Sequence, residues 1–90
     1  MSKLFLCAHT SKLETKAIID ALVADEAIKD WFYSIRGTFF FRSDLSARQL
    51  SERFIARFGM ARHFIADITG SEKWGALPKQ QWEKILQRKL

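Results

Sequence analysis

Cys7 and His9 stand two residues apart in the stretch Lys3-Leu4-Phe5-Leu6-Cys7-Ala8-His9, and His63 opens another apolar stretch much further along the chain. In an extended strand a spacing of two puts both side chains on one face, and a thiolate with two imidazoles is a ligand set that zinc accepts. No fourth ligand is evident, and neither a CxxC nor an HExxH spacing accompanies the three. Cys7 serves equally well as a small apolar core residue, so neither a metal nor another cofactor is expected. A second kind of chemistry resides in Arg36-Gly37-Thr38-Phe39-Phe40-Phe41-Arg42, an aromatic triplet between two arginines. These are the residue types that stack on bases and pair with phosphates. The serines stand in capping and turn contexts, where backbone hydrogen bonding accounts for them. With no glycine-rich phosphate loop either, no catalytic residue and no small-molecule substrate are evident.

The composition sets the frame for those residues. Ninety residues, 48% of them hydrophobic, are enough for one core and too few for a second catalytic domain. Fifteen Lys and Arg against ten Asp and Glu leave a net charge of +5, which favours encounter with polyanions. The amino-terminal apolar run, Leu4 to Ala8, is too short for a membrane span or a signal-peptide core. No membrane contact and a cytoplasmic location are therefore expected, in keeping with a single cysteine that has no intrachain partner.

The hydrophobic period changes several times along the chain. Residues 3–9 form a short apolar run that predicts a buried strand. Ser11-Lys12-Leu13-Glu14 has the spacing of a capping box, and Ile18, Ile19, Leu22 and Val23 follow at helical intervals. Trp31 to Arg42 is aromatic and β-branched with Arg36-Gly37 in its middle, which predicts a hairpin. Ser46 and Gln49 supply a second capping box, and Leu45 with Leu50 a hydrophobic staple. Gly59 then stops that helix. Residues 62–69 alternate as a fourth strand, and Pro78 precedes Trp82, Ile85 and Leu86 at helical spacing.

Strand, helix, strand, strand, helix, strand predicts an α+β fold: a ferredoxin-like βαββαβ sandwich, its four-stranded antiparallel sheet in order 4-1-3-2, with two helices on one face and a short C-terminal helix. Residues 1–70 make the domain, and residues 71–90 a tail that packs on the domain or on a partner subunit. Alternation assigns Leu4, Leu6, Ala8, Phe39, Phe41, Phe64, Ala66 and Ile68 to the helix side. It leaves Phe5, Cys7, His9, Thr38, Phe40, Arg42, His63, Ile65 and Asp67 on the open side. That open face is too apolar for water alone. Two uses for it follow. Phe5 and Phe40 with Arg36, Arg42 and Arg62 are the candidate nucleic-acid contacts, and Phe5, Phe40 and Ile65 with Trp74 and Trp82 the candidate dimer interface. Leu4-Phe5-Leu6 and Gly37-Thr38-Phe39-Phe40-Phe41 partly resemble the two signature strands of RNA-recognition motifs, although Thr38, Phe39 and Ser43 depart from that pattern.

Residues 31–86 also resemble the small bacterial proteins termed SinR-like. The likeness lies in Gly37-Thr38-Phe39-Phe40-Phe41-Arg42-Ser43-Asp44-Leu45-Ser46-Ala47, in Ile68-Thr69-Gly70 followed by Trp74-Gly75, and in Trp82. Those proteins are grouped near virulence-associated protein D and the small endoribonuclease-like protein of CRISPR adaptation. The resemblance implies a ferredoxin-like homodimer with nucleic acid or nuclease chemistry among its relatives. The nuclease relatives end their first strand in a metal-holding aspartate, where this chain has His9, and Mg²⁺ prefers oxygen ligands. The expected function is thus a dimeric, non-enzymatic binding or regulatory module contacting nucleic acid. A divergent nuclease, with His9 and Asp67 as its candidate residues, and a protein-interaction element of a toxin-antitoxin or mobile-element system are the alternatives.

Overall fold

The computed structural model describes residues 2–89. The chain runs β1 (Lys3–His9), α1 (Thr15–Ala24), β2 (Lys29–Tyr33), β3 (Thr38–Ser43), α2 (Ala47–Phe58), β4 (His63–Asp67) and α3 (Lys79–Leu86). All strand pairs are antiparallel and the sheet order is β2-β3-β1-β4, the ferredoxin-like arrangement. Among the described residues no helix is long and apolar enough to cross a membrane.

Local chemistry explains most of the boundaries. At the start of α2 the Gln49 amide donates to Ser46 Oγ at 3.1 Å and the Ser46 amide donates to Gln49 Oε1 at 2.9 Å, so two otherwise orphaned donors are satisfied reciprocally. Gly59 ends the helix with φ 71°, donating to the Ile55 carbonyl. In the β2–β3 turn Thr38 donates to the Ile35 carbonyl at 2.7 Å, and Gly37 takes φ 79°. A Cβ at Gly37 would lie 3.1 Å from the His9 carbonyl oxygen, so the turn also depends on glycine for close approach to β1.

The capping box expected at Ser11 and Glu14 does not form. Residues 11–13 make a turn in which Leu13 donates to the Thr10 carbonyl and the Lys12 amide to Thr10 Oγ, and α1 starts at Thr15 without a side-chain cap. Thr10 has taken the local role that the pattern offered to Ser11. β4 also stops earlier than alternation predicts. Asp67 turns its carboxylate to the Thr69 amide, and Thr69 Oγ accepts from the Leu4 amide at 2.7 Å.

The largest difference concerns which way β1 and β4 face. β1 pairs with β3 so that Phe5 lies opposite Phe41 and Cys7 opposite Phe39, and directly opposed residues share a face. Phe5, Cys7, His9, His63, Ile65 and Asp67 therefore stand on the same side as Phe39 and Phe41, under α1 and α2. Leu4, Leu6, Ala8, Phe64 and Ala66 stand on the other. The relation between β1 and β4 is as alternation predicts, and so is the facing of β3. The pair is inverted against β3 because Leu4-Phe5-Leu6-Cys7-Ala8 is apolar throughout, so only the register decides.

Two apolar layers result. Under α1 and α2, Phe5, Cys7, Ile18, Phe39, Phe41 and Leu50 are buried together, and Phe39 is ringed by Trp31, Tyr33 and His9. On the other side Leu4, Phe32, Phe40 and Ile85 form a second cluster with Trp82 packed against it. Phe32 and Phe40 stack at 5.1 Å between ring centroids. The open face of the sheet is thus covered over its β2, β3 and β1 part by α3.

Arg42 fixes that cover. Its guanidinium is buried and Nη2 donates to the Ile85 carbonyl at 2.8 Å, with the Lys84 carbonyl at 3.4 Å. These are carbonyls of the last helical turn, which have no intrahelical donor and lie at the negative end of the helix dipole. Ser34 Oγ, donating to Gln81 Oε1 at 2.6 Å, holds the start of α3. Arg42→Ala should cost about 1–3 kcal/mol through the carbonyls left buried without a donor. Urea unfolding and amide exchange read this out, with loss of protection expected in α3 before α2; equal protection in the two helices would contradict the anchoring role.

Candidate nucleic-acid interface

The residues predicted to contact nucleic acid separate into two groups. Phe5 is fully buried under α1 and α2, Phe40 lies beneath α3, and Arg42 is spent on the carbonyls of that helix. Neither stacking surface nor phosphate donor is available there. Arg36 and Arg62, by contrast, are both exposed and lie at the same end of the sheet, on either side of the end of β1. The His9 amide donates to the Gly37 carbonyl at 2.8 Å and the Thr10 amide to the Arg62 carbonyl at 3.0 Å, so the hairpin turn and the start of β4 flank the last residues of β1.

Phe64 completes this end. It is 65% exposed, lies opposite Ala8 in the register, and stands outside the cluster beneath α3. A shallow notch there is lined by Ala8, His9, Thr10, Arg62, His63 and Phe64. Among the described residues neither Arg36 nor Arg62 is in an ion pair, whereas Arg48 pairs with Glu52 and Arg53 with Asp25. Exposed cations that are in no ion pair, at the same sheet end as an exposed aromatic ring, are the groups that phosphate and base contacts use. Alternation hid Phe64 by assigning it to the helix side; its exposure follows from the inverted face and from the reach of α3.

The predicted dimer residues divide in the same way. Phe5 and Ile65 belong to the layer under α1 and α2, while Phe40 and Trp82 belong to the layer with α3. Trp74 alone of the set is open, at 97% exposure.

The histidines and Cys7 share a face, and His9 and His63 are register partners. Each imidazole Nδ1 lies within hydrogen-bond distance of a carbonyl, of Thr10 for His9 and of Ala61 for His63, and a carbonyl only accepts. Nδ1 therefore carries the proton in both. His63 Nε2 then accepts from Ser51 Oγ at 2.6 Å, while Phe54 stacks on the ring. His9 Nε2 is buried with no partner among the described residues. Among those residues no group of three His, Cys, Asp or Glu side chains converges as metal ligands. Asp67 lies opposite Phe5, at the other end of β1 from His9, and the hydrogen bond its carboxylate accepts from the Thr69 amide lowers its pKa.

No protein family, curated protein or solved structure matches this chain.

Burial pushes the Cys7 thiol up to about 11. The folded protein then holds a proton that the unfolded chain releases near its ordinary thiol pKa, so the native state loses stability as pH rises from about 9 towards 11. Wild type and Cys7→Ala, unfolded in urea at pH 7.5 and pH 10.5, should differ by about 1–3 kcal/mol more at the lower pH. An identical pH dependence in the two proteins would contradict a buried neutral thiol.

Proposed function

We propose that this protein is a small binding or regulatory module that contacts nucleic acid at the end of its sheet, without catalysis of its own. The observation that carries this reading is the placement of exposed Arg36 and Arg62, neither in an ion pair among the described residues, at the same end of the sheet as exposed Phe64. The arginines would hold phosphates and Phe64 would stack a base, so binding would be salt-dependent and tolerant of sequence. The net charge of +5 adds long-range attraction to the same partner. The resemblance of residues 31–86 to SinR-like bacterial proteins implies the same kind of partner, and with it a homodimer. Among the described residues β4 pairs with β1 alone, and its unpaired edge offers a second copy backbone hydrogen bonds. Sedimentation at micromolar concentration should show that dimer; a 10.5 kDa species would remove it.

Fluorescence anisotropy with a labelled single-stranded RNA and its DNA counterpart, from about 50 to 200 mM salt, tests the contact. Affinity should fall steeply with salt, and Arg36→Gln with Arg62→Gln should flatten the slope by about one unit for each phosphate that is no longer held. Phe64→Ala should cost about 1–3 kcal/mol at every salt concentration. A flat titration would remove the reading, and Mg²⁺- or Mn²⁺-dependent cleavage abolished by His9→Ala or Asp67→Ala would replace it with a nuclease.

A further inference from the structure

On the opposite side of the sheet, α1 and α2 bury its central residues but leave a gap between themselves. Between them lies a cleft of about 650 Å³, within the range of pockets that take small organic ligands. Of its lining residues Cys7 and Phe39 are themselves buried, and the apolar surface open to it comes from half-buried Ile65 of β4, Leu22 of α1 and Phe54 and Phe58 of α2. Polar side chains are gathered at the mouth. There Arg53 is held by both carboxylate oxygens of Asp25, at 2.8 and 2.9 Å. Arg57, one turn further along α2, is exposed and in no ion pair among the described residues.

We infer that this cleft binds a single-headed carboxylate amphiphile of medium chain length, with its alkyl tail on the sheet and its head on Arg57. The apolar lining excludes a ligand that is polar along its length, because each buried polar group would lack a partner. The concavity favours a slender molecule over the flat face of a second subunit. A guanidinium matches a carboxylate with two parallel hydrogen bonds. Asp25 and Glu26 on the facing lip repel a doubly charged phosphate head more than a singly charged carboxylate. This site is distinct from the sheet end, since Arg57 and Leu22 line only the cleft.

Isothermal titration with decanoate, decanol and decyltrimethylammonium tests the inference on the intact protein. Decanoate should bind saturably at one site per chain and most tightly of the three. Arg57→Gln, a surface change that leaves the fold intact, should weaken decanoate about ten- to a hundredfold while leaving decanol unchanged, as expected for one charge-assisted hydrogen-bonded pair. Leu22→Trp and, independently, Ala24→Trp should obstruct the cleft and abolish binding in protein whose circular dichroism is native. Absence of saturable decanoate binding, equal binding of the cationic amphiphile, or an unaltered decanoate affinity in Arg57→Gln would each overturn it. So would a wild-type dimer that Ala24→Trp dissociates, because the cleft would then be a subunit interface.

Discussion

The pairing of Phe5 with Phe41 and of Cys7 with Phe39 is the constraint on which the two faces of this molecule depend. β1 carries apolar residues at nearly every position, so either of its faces is fit for burial. A slip of one residue would exchange Phe5 and Cys7 for Leu4 and Leu6 throughout. Register is selected instead by what lies across the strand: the large rings of Phe39 and Phe41 pack with Phe5 under α1 and α2, and the smaller Leu4 and Leu6 leave room for Ile85 and Trp82. A strand that is apolar on both faces demands two covers. The chain supplies the second with α3.

That second cover determines where chemistry is possible. Phe32, Phe40 and Leu4 would otherwise present a stacking platform in the centre of the sheet, and Arg42 a charge beside it. With Ile85 inserted among the rings and the Arg42 guanidinium bound to the last carbonyls of α3, the platform becomes core. The surface proposed for a polyanion lies beyond the helix, where β1 ends between the hairpin turn and β4. The backbone bonds of His9 and Thr10 place the segments of Arg36 and Arg62 on either side of the end of β1, with Phe64 following on β4.

The element order, the hairpin at Gly37 and the limits of α2 were legible in the sequence because each rests on a local rule: a positive φ, a capping box, a helical period. The faces of β1 and β4 were not, since alternation carries information only when one face is polar. Ser11-Lys12-Leu13-Glu14 shows the opposite failure, a correct local pattern displaced by the neighbouring Thr10 turn. Arg42 reads as a ligand-facing charge in sequence and proves to be a helix anchor, because its partners are backbone carbonyls more than forty residues away that no side-chain pattern announces. Phe64 is the converse case, an aromatic residue assigned to the core that the sheet leaves in water.

Chemical-shift mapping of the backbone amides with a short single-stranded oligonucleotide tests the central claim most directly. The account predicts perturbations confined to residues around Arg36, Arg62 and Phe64, with α3 amides unmoved and still protected from exchange. Perturbations centred on Phe40 and Arg42, accompanied by loss of protection in α3, would contradict it: the helix would then be a removable lid, and the covered aromatic face the true binding surface.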